Sequence, residues 1–81
     1  MQEVERWQAG QVLPTRVHPT AVVYPGAQLG QGVTIGPYAV VGEHVILGDE
    51  TRVGSRAIIE GWTTVGCRNV IGAGAVVGNE P

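Results

Sequence analysis

The 81-residue chain has no phenylalanine, no lysine and one cysteine, and its apolar runs stop after three or four residues. Such short runs exclude a membrane-spanning helix, which needs about 20 apolar residues, and also the apolar stretch of a secretory leader. A cytoplasmic location is expected. Cys67 has no partner for an intrachain disulfide, and with only His18 and His44 beside it the chain has too few ligands for a structural zinc site. Cys67 is expected to be an unpaired turn thiol, with no metal and no cofactor. Net charge is −2, and all five basic residues are arginines spread toward both ends of the chain. The basic footprint of a nucleic-acid binder is absent. A single domain of this length buries only about 60–65% of its unfolded surface, so a core alone leaves it marginal.

What is present is a repeat. Stepping by six from Val17 gives Val23, Leu29, Ile35, Val41, Leu47, Val53, Ile59, Val65, Ile71 and Val77, eleven aliphatic residues in unbroken succession. At 43% apolar content, chance yields such a run about once in ten thousand frames. Glycine follows the aliphatic everywhere except at His18, Tyr24 and Glu60, and a small or modest residue such as Ala21, Ala39 or Thr51 stands two places before it. Residues two apart share one face of a strand. Each hexad therefore reads as a short strand with one small and one larger side chain pointing inward, then a Gly- or Pro-assisted bend, with Pro19, Pro25 and Pro37 at equivalent bend positions. A six-residue period does not suit a 3.6-residue helix, and glycines inside one would cost about 1 kcal/mol each. Helix is excluded over residues 17–81.

Every third hexad matches: AVV at 21–23 and 39–41, AII at 57–59, AVV at 75–77. Eighteen residues thus make one coil of three strands, and residues 17–81 form an all-β parallel β-helix of a little over three and a half coils. Stability is expected to accumulate rung by rung. Residues 1–16 break the frame, because Gln11 stands where an aliphatic belongs. Met1, Val4 and Trp7 share a helical face and Gly10 is a plausible stop. The segment is expected to cap the first coil, in part as a short helix with Trp7 over the open end; the competing reading is a leader outside the fold.

Few residues suggest chemistry. His18, in VHPTA, is expected to be a corner residue bonded to backbone. His44 falls in a corner column with Gly26, Trp62 and Glu80, which reads as a solvated stack. A zinc enzyme on such a coil needs three convergent histidines, more than the chain has. Glu50 and Arg68 sit one coil apart in another corner column, and an exposed pair worth under about 1 kcal/mol is expected there. The recurrent glycines open no helix and precede no lysine, so they do not form a phosphate loop.

The runs VHPTAVV, IGPYAVVG, HVILGDET and IGAGAVVGNEP together resemble the start of the acyl-carrier-protein-dependent UDP-N-acetylglucosamine O-acyltransferases of lipid A synthesis. These are hexapeptide-repeat enzymes. The resemblance covers about four fifths of this chain but at most the first third of such an enzyme. It implies a left-handed coil, against the general right-handed preference of parallel crossovers. It also implies acyl carrier protein as acyl donor, UDP-N-acetylglucosamine as acceptor and a homotrimer. The family continues past this point with a Gln-Asp pair, a sugar-nucleotide loop and, several coils on, its general-base histidine. No catalytic or substrate-binding residue carries over, and the polypeptide is expected to be inactive. A non-catalytic or engineered solenoid scaffold and a hexapeptide transferase for another acceptor are the alternatives.

The outward residue of each strand indicates a partner surface. Two faces carry Gln28, Ile46 and Thr64, and Thr34, Arg52 and Val70. The third carries Val22, Val40, Ile58 and Val76. An apolar column on one face of a chain with a small core is expected to be the oligomer interface, next to a threefold axis.

Overall fold

The computed structural model describes residues 13–78. They form eleven two-residue strands: β1 Arg16–Val17, β2 Val22–Val23, β3 Gln28–Leu29, β4 Thr34–Ile35, β5 Val40–Val41, β6 Ile46–Leu47, β7 Arg52–Val53, β8 Ile58–Ile59, β9 Thr64–Val65, β10 Val70–Ile71 and β11 Val76–Val77. Every expected hexad is a strand, and the repeated aliphatic is its second residue. The strands stack in parallel as three sheets, β1-β4-β7-β10 (face A), β2-β5-β8-β11 (face B) and β3-β6-β9 (face C). Register is offset by one coil throughout, as in Val22↔Val40 and Val40↔Ile58. The molecule is an all-β parallel β-solenoid of about three turns with no helix among the described residues.

Side-chain alternation along each strand turns this register into a core. Val33, Ala39, Val41, Val45, Ala57 and Ile59 are wholly inaccessible, and Ile35, Leu47 and Val53 nearly so. Each larger aliphatic contributes about 1.5–3 kcal/mol by leaving water. Thr51 is equally buried at a small-residue position. Its hydroxyl donates to the Gly66 carbonyl at 2.6 Å and accepts the Asn69 amide at 3.3 Å. Thr15 repeats the arrangement with Gly30 and Val33, so a hydroxyl at this inward position satisfies backbone of the coil above.

The corners are turns that the hexad glycine opens, as expected of a Gly- or Pro-assisted bend, and that glycine has no left-handed φ. In the turn Gly36-Pro37-Tyr38-Ala39, the Ala39 amide donates to the Gly36 carbonyl at 3.3 Å and Tyr38 has φ 61°. This is a type II arrangement, with proline second and a left-handed residue third. Glu50, Arg56 and Arg68 take the same third position with φ of 62°, 60° and 55°. Their amides donate to Gln31, Pro37 and Asp49 in the coil below at 2.7–2.9 Å, which holds non-glycine residues in this sparsely populated region. At Gly30, Gly36, Gly48 and Gly54 the hexad glycine also serves the rung spacing. A Cβ on Gly48 would lie 2.6 Å from the Gly66 carbonyl carbon and 2.7 Å from the Cys67 amide nitrogen.

Residues 13–16 already belong to the first coil, since the Gly32 amide donates to the Leu13 carbonyl and Arg16 pairs with Thr34. The expected helix at Met1–Trp7, Trp7 as a plug and Glu80 in the His44 column lie outside the described residues.

The ladder is directional. Outward residues donate upward, as in Arg52 to Asn69 at 2.8 Å and Ile58 to Ala75 at 2.8 Å. The matching amides of Val70, Gly72, Val76 and Gly78 look toward a rung that no described residue fills. Hydrogen exchange of the 81-residue polypeptide is therefore expected to be fastest from about Gly72 onward. Uniform protection of that segment in a dilute sample would contradict this.

Candidate functional site

Alternation along the strands leaves one outward side chain per strand, and the coil register sorts these by face. On face B, Val22, Val40, Ile58 and Val76 stand directly above one another in β2, β5, β8 and β11. Val22 is 48% and Val76 66% exposed, while Val40 and Ile58 are half-buried by their neighbours in the column. Faces A and C also expose Val70 and Ile46. Those are single apolar residues beside Arg52 and Thr64 in the same columns. Only face B is apolar at every described rung.

The two corners flanking face B carry ordered ring and charge ladders. At the B–C corner the His44 and Trp62 rings stack with centroids 3.8 Å apart and 7° between their planes. The expected stack is present, and the carboxylate beside it is Glu43, whose Oε2 lies 3.1 Å from His44 Nε2. The B–C turn is also irregular. Gly61 takes the left-handed conformation, and the Thr63 hydroxyl donates to the Glu60 carbonyl at 2.7 Å. At the A–B corner, the Arg56 guanidinium carbon lies 5.9 Å from the centre of the Tyr38 ring. Tyr38 and Arg56 were not singled out from sequence. They share the third turn position one coil apart, the same signal that revealed the His44 column.

The remaining candidates are structural. His18 Nδ1 lies 2.9 Å from the Thr20 hydroxyl and 3.2 Å from the Thr20 amide, and that hydroxyl accepts the Tyr38 amide at 3.0 Å. A hydrogen-bond chain thus runs from Tyr38 through Thr20 to His18, making His18 a backbone-bonded corner residue. Glu50 and Arg68 share the C–A corner column but form no ion pair. Each is fixed in a left-handed backbone position, and among the described residues the only ion-pair geometry is His44 with Glu43. Cys67 is exposed and free. No described group of three His, Cys, Asp or Glu side chains is placed to hold a metal ion. No helix among the described residues is long and apolar enough to cross a membrane.

Face B with its two flanking corners is thus the most continuous apolar and aromatic surface among the described residues. A scan against protein-family models finds no match, and no curated protein matches the chain.

Proposed function

We propose that this chain is framework: the first coils of a UDP-N-acetylglucosamine O-acyltransferase, cytoplasmic and left-handed in coil sense, which supply rigid stacked rungs and a subunit contact but no catalytic group. The supporting observation is the apolar column of face B, carried at constant register over four rungs. A solenoid built from single-residue outward positions has no interior site of its own. Its use is to hold surfaces at fixed spacing, and an apolar face over a small core is most readily satisfied by copies of the same chain in closed symmetry. Face B next to a threefold axis meets that requirement, with acyl carrier protein and the sugar nucleotide engaging only the complete enzyme.

The polypeptide alone is expected to transfer no acyl group from acyl carrier protein to UDP-N-acetylglucosamine. His44 is the histidine to test, because its ring lies against Trp62 with Glu43 on Nε2. Turnover above background that disappears in His44→Ala would overturn the framework reading. In sedimentation the polypeptide is expected to run as a trimer. The scaffold alternative rests on the same surface and differs only in lacking the acyltransferase's continuation.

A further inference from the structure

A turn between two faces closes by one bond, from the amide of its fourth residue to the carbonyl of its first. Turns 36–39, 42–45, 48–51, 54–57 and 72–75 have this bond at 3.2–3.4 Å, and turns 18–21 and 24–27 have it at 2.9 and 3.1 Å. Among the described residues, turns 30–33, 60–63 and 66–69 lack it. In each of these a threonine hydroxyl donates to the first carbonyl instead: Thr15 to Gly30 at 2.7 Å, Thr63 to Glu60 at 2.7 Å and Thr51 to Gly66 at 2.6 Å. These bonds are short, whereas most of the closing bonds are longer than the usual amide–carbonyl distance, so a hydroxyl within reach is the better partner for the carbonyl.

The C–A corner supplies the comparison within one column. Beneath turns 30–33, 48–51 and 66–69 the inward residues are Thr15, Val33 and Thr51. Above each threonine the hydroxyl is inserted into the turn, because besides donating to the glycine carbonyl it accepts the fourth amide, that of Val33 at 3.4 Å or Asn69 at 3.3 Å. Above Val33, which has the shape of threonine and no hydroxyl, the Thr51 amide reaches the Gly48 carbonyl directly at 3.4 Å. The turn residues do not account for the difference. Glu50 and Arg68 hold the third position with φ of 62° and 55°, and their amides donate to the coil below at 2.7 and 2.8 Å. Turns 48–51 and 66–69 therefore stack alike and differ in the closing bond.

We propose that the C–A corner is a two-state turn whose state is set by the inward side chain one coil below: a hydroxyl there relays the closing bond, and a methyl in its place lets the turn close. Thr51 serves both states. Its amide closes turn 48–51 while its hydroxyl relays turn 66–69, so one buried residue couples successive corners. The effect reaches the surface, because the two central residues of turn 66–69 are the exposed Cys67 and Arg68. Closing the turn draws Gly66 and Asn69 together and reorients both side chains from inside the wall. This device is independent of the contact face and of the framework reading.

The test uses the 81-residue polypeptide, in which Cys67 is the one thiol and reports on its own turn. Thr51→Val is expected to melt within about 3 °C of the parent, since a direct bond replaces the relay. Its Cys67 is expected to react with an aromatic disulfide at a rate changed about threefold or more. Thr51→Ser keeps the hydroxyl and is expected to match the parent. Crystal structures are expected to show the Asn69 amide bonded to the Gly66 carbonyl in Thr51→Val. In Val33→Thr they are expected to show the converse, with the new hydroxyl on the Gly48 carbonyl and the Thr51 amide withdrawn from it. A turn 66–69 that stays relayed or unbonded in Thr51→Val, or a turn 48–51 that stays closed in Val33→Thr, would overturn the proposal. So would a serine variant that behaves like the valine one. Loss of the far-UV β-signal in Thr51→Val would show that the turn cannot close by itself and would overturn it as well. An unchanged Cys67 rate in a closed Thr51→Val turn would overturn the surface consequence.

Discussion

Gly48→Ala is expected to destabilise the solenoid by about 2 kcal/mol or more, whereas Gly72→Ala is expected to be neutral or slightly stabilising. Both glycines follow an inward aliphatic in the hexad and neither has a left-handed φ. They differ in what stacks above them. A Cβ on Gly48 meets only backbone, at 2.6 Å from the carbonyl carbon and 2.8 Å from the carbonyl oxygen of Gly66, and at 2.7 Å from the amide nitrogen of Cys67. No side chain can rotate away to accommodate it. Relief requires two coils to separate locally, which stretches the ladder bond from the Gly48 amide to the Val65 carbonyl, now 2.8 Å. Above Gly72 nothing lies within 4 Å. Alanine there only reduces the freedom of the unfolded chain. For a domain of this size the Gly48 variant should melt about 10 °C or more below the parent. Equal melting shifts for the two variants would show that the hexad glycine answers to local bending and not to coil spacing.

Val40→Glu together with Ile58→Glu is expected to convert the proposed trimer to monomer or aggregate, and Thr64→Glu is expected to leave that assembly intact. Val40 and Ile58 are paired neighbours at the middle of the face B column, both half-buried before any partner is added. In an assembly with face B inward, each subunit of the variant would place two carboxylates where no cation from its own face can reach them. Burying an ionised carboxylate without a partner costs several kcal/mol, enough to outweigh an interface built from single side chains per rung. Thr64 is outward on face C, paired with Ile46 and exposed. An added charge there stays in water. All three side chains point away from the core, so far-UV circular dichroism should be unchanged while sedimentation separates the variants. A folded parent that sediments as a monomer at micromolar concentration, or a double variant that remains trimeric, would show that face B is not the interface.

The strand positions, the eighteen-residue coil, the three faces and the inward ladders were all legible in the amino-acid sequence. The reason is that each depends on a short period. Two-residue alternation assigns Ala39 and Val41 to the core and Val40 to the surface, and the six-residue step repeats that assignment at every rung. The column containing His44 and Trp62 followed from the same arithmetic, and the rings do stack. Arithmetic on the chain identifies which residues share a column. It does not say how their side chains meet.

What only the tertiary structure decided are relations between coils. Gly48 has to be glycine because of backbone eighteen residues further along the chain, a constraint with no local signature. Tyr38, Glu50, Arg56 and Arg68 hold a left-handed conformation that residue type disfavours, supported by amide bonds to the coil below, from Tyr38 to the Thr20 hydroxyl and from the other three to backbone carbonyls. That conformation places the side chains. It aligns Arg56 over Tyr38 and leaves Glu50 and Arg68 in one column without an ion pair. The sequence alone thus determined the period, and with it which side of the wall each residue occupies; the stacked coils decided which glycines are indispensable and where each corner side chain points, because those depend on contacts across a rung and not along the chain.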